Sequence, residues 1–104
     1  MGKFVYGTGV NQTEVGMNDW FLAVLEEVVA TGLQLRRPFR IRFNKWTPDD
    51  SGILVVFITD GVPIRFIYDS SVRPQIDEKA ESAYSELREQ LERTSAISIG
   101  DDGA

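Results

Sequence analysis

Phe39-Arg40-Ile41-Arg42-Phe43-Asn44 alternates apolar and polar side chains residue by residue. That is the period of a strand with one face in a core and the other in water. Arg40 and Arg42 should therefore project side by side from the exposed face. The strand sits in a basic segment: Arg36 to Lys45 carries five positive charges and no negative one. Downstream, Thr47-Pro48-Asp49-Asp50-Ser51-Gly52 is a turn cluster. Ile53 to Thr59 is nearly continuous in β-branched and aromatic residues, which reads as a central strand buried on both faces. Asp60-Gly61 is a hairpin signal, after which Ile64, Phe66 and Tyr68 mark a returning strand. Short links join antiparallel neighbours, so residues 39–68 are expected to form a three-stranded meander.

Working outward, Phe4 to Tyr6 reads as a short first strand, broken by Gly7-Thr8-Gly9, with Val10 to Val15 as its hairpin partner. A helix is expected from Trp20 to Ala30, with Asn18 as N-cap, Asp19 in the first turn, a Met17–Leu22 staple, and Gly32 as C-cap. A second helix should run from about Asp77 to Arg93, with Ala80, Ala83, Tyr84, Leu87 and Leu91 on its apolar stripe. The fold class is therefore α+β: a mainly antiparallel sheet of three to five strands with two helices packed on it. Residues 1–95 are read as a single domain. Residues 96–104 are read as a short edge strand, carrying Ile97 and Ile99, and an acidic flexible tail.

A chain of 104 residues with 42% hydrophobic and 26% charged residues can bury a core without covalent staples. It has no cysteine and no histidine, so disulfides, thiolate zinc sites, thiol nucleophiles and histidine-based triads are excluded. No catalytic motif is present, and neither an enzyme nor a cofactor is expected. Gly7-x-Gly9 lacks the rest of a phosphate loop. Asp49, Asp50, Asp60 and Asp69 lack the spacing of a calcium loop. No membrane span or secretory signal is visible, so a cytoplasmic location is expected.

The informative feature is charge segregation. Net charge is -5, yet residues 1–50 balance at six acids against six bases, whereas residues 51–104 carry ten acids against five bases. Two partner surfaces follow. The exposed face of the second helix presents Glu78, Glu81, Glu86 and Glu89, which suits a regulatory module that binds another protein, for instance an inhibitor occupying a basic groove. The alternative is nucleic-acid binding through the basic strand 36–46, with Arg36, Arg37, Arg40, Arg42 and Lys45 on phosphates and Trp46 stacked on a base. The plainer readings are an aggregation guard on a sheet face and ordinary helix pairing such as Glu89 with Arg93.

The opening Met1-Gly2-Lys3-Phe4-Val5-Tyr6 resembles that of short actinobacterial or phage proteins of uncharacterised function, which begin Met-Gly-Arg/Lys-Phe-aliphatic-Tyr. Leu22-Ala23 with Leu25, Leu35-Arg36-Arg37 before Phe39, Phe43 and Trp46, then Pro63, Phe66, Tyr68 and Pro74, run in a similar order. Where those proteins begin their second helix with Asn-Arg-x-Trp, this chain has Asp77-Glu78-Lys79-Ala80. Some carry a DNA-ligase label. Here Ile58 stands where the nucleotidyltransferase lysine would precede Asp60-Gly61, and no adenylate could form. The resemblance implies an architecture and a bacterial or phage origin, and no activity.

Overall fold

The computed structural model describes residues 2–44, 52–59, 61–72 and 74–99. Their elements run β1 (Gly2–Tyr6), a 3₁₀ turn (Gly9–Asn11), β2 (Thr13–Met17), α1 (Asp19–Gln34), β3 (Phe39–Phe43), β4 (Leu54–Ile58), β5 (Ile64–Ile67), α2 (Glu78–Thr94) and β6 (Ala96–Ile99). The fold is α+β and mostly antiparallel. Its strands form two three-stranded sheets, β2-β1-β5 and β4-β3-β6. Among the described residues no helix is long and apolar enough to cross a membrane. Lys45, Trp46, the turn cluster through Ser51, Asp60 and the tail from Gly100 lie outside the described residues.

The alternating strand forms as read, with Phe39, Ile41 and Phe43 buried and Arg40 and Arg42 exposed. It pairs antiparallel with β4, Arg40 opposite Phe57 and Arg42 opposite Val55. The meander stops there. β5 pairs with β1 instead of β4, Phe4 opposite Phe66 and Tyr6 opposite Ile64. A hairpin signal specifies only a local reversal; which edge the returning strand takes depends on what it can bury. On β1, Phe66 meets Phe4 edge-on at 5.5 Å, and Tyr68 donates to Glu26 of α1 at 2.6 Å. The Gly7 amide closes the join by donating to the Pro63 carbonyl.

Losing β5 turns β4 into an edge strand, so the expectation of burial on both faces fails. Val56 and Ile58 are buried while Val55 and Phe57 are exposed. The hairpin partner of β1 also begins later than expected, at Thr13, and Val10 lies fully exposed in the 3₁₀ turn. β6 runs parallel to β3 on its other side, with Ile41 opposite Ile97, because α2 carries the chain back as a crossover.

α1 is buried around most of its circumference, by Phe21, Leu22, Ala23, Val24, Leu25, Val28 and Val29, as befits a helix inside the core shared by both sheets. α2 contributes Ala80, Leu87 and Leu91 to the same core. Its N-cap is as expected: Asp77 accepts from the Ala80 amide at 2.9 Å. Asn18 takes the extended N-cap conformation of α1. Asp19 next to it accepts from the backbone amides of Asp69 and Ser70, tying the link after β5 to the helix start.

Gly32 has a different role from the expected cap. α1 continues past it to Gln34, and Arg36 takes the left-handed conformation at φ 55°. Gly32 is needed for close packing. A Cβ built there would lie 2.4 Å from Cε1 of the buried Phe39 ring. Gly32→Ala should therefore destabilise the protein by about 1–3 kcal/mol through overpacking, despite the roughly 1 kcal/mol helix-propensity advantage of alanine. Urea unfolding checks this, and a gain in stability would show that Phe39 does not abut the helix backbone.

Candidate interaction surface

The outer faces of the two sheets are treated in opposite ways. On β2-β1-β5, Val5 lies between Glu14 and Arg65 in register, points away from the main core cluster, and is nonetheless fully buried. Flanking it in register is a polar lattice. Lys3 donates to Glu14 at 3.1 Å, Gln12 to Glu14 at 2.6 Å, and Arg65 to Gln12 at 2.7 Å. These cations are paired within the chain.

The outer face of β4-β3-β6 has no such lattice among the described residues. Arg40 and Arg42 stand on β3 beside Phe57 and Val55 on β4 and beside Ala96 and Ser98 on β6. Phe57 is 59% exposed and Val55 42%. None of Arg36, Arg37, Arg40 and Arg42 has an ion-pair or hydrogen-bonding side-chain partner among the described residues. Exposed aromatic and aliphatic groups next to unpaired guanidinium groups make a surface that loses little and gains apolar burial when a partner covers it.

The loop between α1 and β3 extends this cationic surface around the end of the sheet. Leu33, Arg36, Arg37, Pro38 and Thr59 line one shallow concavity, and Pro38, Phe39, Arg40, Phe57, Thr94 and Ser95 line its neighbour. Their volumes, about 130 and 210 Å³, fall below the roughly 300–1,000 Å³ of small-molecule pockets. Their shape suits a macromolecular surface better than an enclosed ligand.

Glu78, Glu81, Glu86 and Glu89 are all exposed on α2, as expected. The helix packs on the inner side of the sheet, through the core that holds Phe39, Ile41 and Phe43. Glu86 shares a groove with Ser98 of β6, the register neighbour of Arg42. Among the described residues none of the four glutamates pairs with Arg40 or Arg42. Several of the acids have local explanations. Glu89 pairs with Arg93, Arg88 pairs with Glu92 at 3.2 Å, and Glu78 and Glu81 sit in the first turn, where the helix dipole favours them. Glu86 lies beside a groove that also holds Trp20 and Lys79, the ammonium 4.1 Å from the indole centroid.

Val55 and Phe57 are the surface residues that the sequence reading passed over. A continuous apolar run carries no mark distinguishing two buried faces from one buried and one exposed. Only the pairing of β5 with β1 decides it. Among the described residues no cluster of His, Cys, Asp or Glu is placed to hold a metal ion.

The sealed face makes a pH-dependent prediction. Hydrogen bonds from Lys3 and then Gln12, reinforced by the charge of Lys3, hold the Glu14 carboxyl below its ordinary value. A carboxyl whose pKa is lowered on folding contributes its full stabilisation above the ordinary carboxylate range, and loses it as pH falls through the lowered value. Lys3→Met should move the Glu14 titration midpoint upward, read by NMR of its side-chain carboxyl. Arg65→Met should move it less. An unmoved midpoint in Lys3→Met would show that the lattice does not hold in solution.

The sequence from residue 1 to 99 matches the family model described as a domain of unknown function, DUF7882. No curated protein and no solved structure matches the chain. The match spans both sheets, both helices and the open arginine face, so the chain belongs to the DUF7882 family.

Proposed function

We propose that this protein is a non-catalytic binding module whose open sheet face docks an acidic surface of another protein. The observation that carries the reading is the contrast between the two sheets. The chain pairs its cations beside Val5 and, among the described residues, leaves Arg40 and Arg42 unpaired beside exposed Val55 and Phe57. Arginine and aromatic side chains are the types that concentrate binding energy at protein interfaces. The other version, an inhibitor that inserts the acidic helix into a basic groove, draws less support, because Glu89 and Glu92 are paired within α2. A regulatory role in the cytoplasm of a bacterium or phage-infected cell belongs to the same proposal, as does the absence of catalysis.

One observation favours a second reading, nucleic-acid binding. Phe57 stands directly opposite Arg40 on an exposed sheet, an arrangement able to stack a base while guanidinium groups meet phosphates. The net charge of -5 opposes such an approach at long range.

Arg40→Glu/Arg42→Glu tests the arginine face while sparing the core, since both side chains are exposed. Affinity capture from the native host with wild-type bait should recover a stoichiometric acidic protein. The double variant should weaken that complex by roughly 30-fold or more, as the loss of an interface hot spot does. Glu86→Gln should leave it intact. Undiminished capture by the double variant would remove the arginine face from consideration. Fluorescence anisotropy with random oligonucleotides supplies the other arm. Binding tighter than about 100 μM at about 50 mM salt, with steep salt dependence, would favour nucleic acid.

A further inference from the structure

The open edge of β4 carries an inference separate from the arginine face. The Arg40 and Asn44 amides donate towards β6, to the carbonyls of Ser95 and Ile99. Backbone polar groups alternate sides along a strand, so those of Ile41 and its neighbours at every second position point to β4. Their partners on β4 are Ile58, Val56 and Leu54. The N–H and C=O groups of Val55 and Phe57 consequently point away from the sheet. The Phe57 carbonyl confirms the direction, since it accepts from the Tyr6 hydroxyl at the end of β1.

Other sheet edges are guarded. β2 carries Glu14 and β5 carries Arg65, and charges discourage edge pairing. At β6, the outward amide of Ser98 is capped by the Gln90 side chain of α2 at 2.9 Å. β4, Leu-Val-Val-Phe-Ile, has no charge. Its outward-facing side chains Val55 and Phe57, with the adjacent Ile53 at 55% exposure, are apolar.

We infer that β4 pairs antiparallel with β4 of a second copy, about a two-fold axis at Val55, to make a continuous six-stranded sheet. Antiparallel pairing about Val55 places Ile53 of each copy opposite Phe57 of the other. The edge is self-complementary in apolar character and in the N–H and C=O groups of Val55, while the Phe57 carbonyl would accept from Ile53 of the other copy beside the Tyr6 hydroxyl it already holds. Charge permits it. The β3 strands would stand three strand spacings apart, about 14 Å, beyond the roughly 8–10 Å over which exposed arginines repel at ordinary salt. The apolar contact is a single short strand per copy, well under the roughly 800 Å² per partner of a stable complex. The dimer is therefore weak, with a Kd on the order of 0.1 mM.

Sedimentation equilibrium across a concentration series should show an average mass rising from 11.7 kDa towards twice that value. Val55→Pro should hold the mass at the monomer, because it removes an outward amide that makes no hydrogen bond among the described residues. Its circular dichroism should match the wild type. The chain has no cysteine, so Val55→Cys supplies a single reporter. Across such a pair the Cα atoms lie about 5.5 Å apart, within disulfide reach. Val55→Cys should oxidise to a covalent dimer roughly tenfold or more faster than Val10→Cys, because pairing raises the effective concentration. If Val55→Pro fails to fold, the two cysteine rates decide alone. A constant monomer mass up to about 1 mM, dimerisation that survives in folded Val55→Pro, or equal cysteine rates would each overturn the proposal. Arg40→Glu/Arg42→Glu should leave the dimer unchanged, so failure of the acidic-partner reading and failure of this one are separable.

Discussion

β5 could have paired with β4, its neighbour in sequence; it pairs with β1, and the rest of the structure depends on that choice. β1 thereby becomes the centre of its sheet. Its Phe4 is fully buried between Phe66 at 5.5 Å and Phe43 of the other sheet at 5.6 Å. A lone three-stranded sheet needs an apolar face covered by something else. Here each sheet covers part of the other's requirement, with α1 buried among them and α2 closing the side. The same choice strips β4 of its second neighbour and opens both its edge and one of its faces.

An open apolar edge or face is a hazard that a small protein normally suppresses. This chain shows that it can suppress one. Beside Val5 it lays a chain of contacts from Lys3 through Glu14 and Gln12 to Arg65, and against β6 it sets Gln90. At the edge of β4, the only contact of this kind among the described residues is the Tyr6 hydroxyl on the Phe57 carbonyl. Exposed Phe57 and Val55 stand in register with Arg40 and Arg42 on the outer face of the same sheet. The acids of α2 and the arginines of β3 stay unpaired with one another among the described residues, despite the net negative charge.

Much of this was legible in the sequence wherever a local signal had one structural meaning. The Phe39–Phe43 alternation, the Asp77 cap, the α2 stripe and the Glu89–Arg93 pair all took the expected form. The misreadings were non-local. Asp60-Gly61 announced a reversal without saying where the next strand would pair, and the apolar run at Ile53–Thr59 was assigned a neighbour it does not have. Gly32 looked like a cap because glycine is favoured at helix ends, whereas its reason lies in a phenylalanine seven residues further on. Of the surface residues, the arginines and glutamates were legible from charge alone. Val55 and Phe57 became visible only once the strand order was known.

The central claim is that β4 is an edge strand with one bonded and one free side. Residue-resolved amide hydrogen exchange, measured at low micromolar concentration, tests it most directly. The account predicts alternation along the strand: slow exchange at Leu54, Val56 and Ile58, and fast exchange at Val55 and Phe57. Uniform protection from Leu54 to Ile58 in the monomer would mean that another strand of the chain occupies that edge, and would contradict the account.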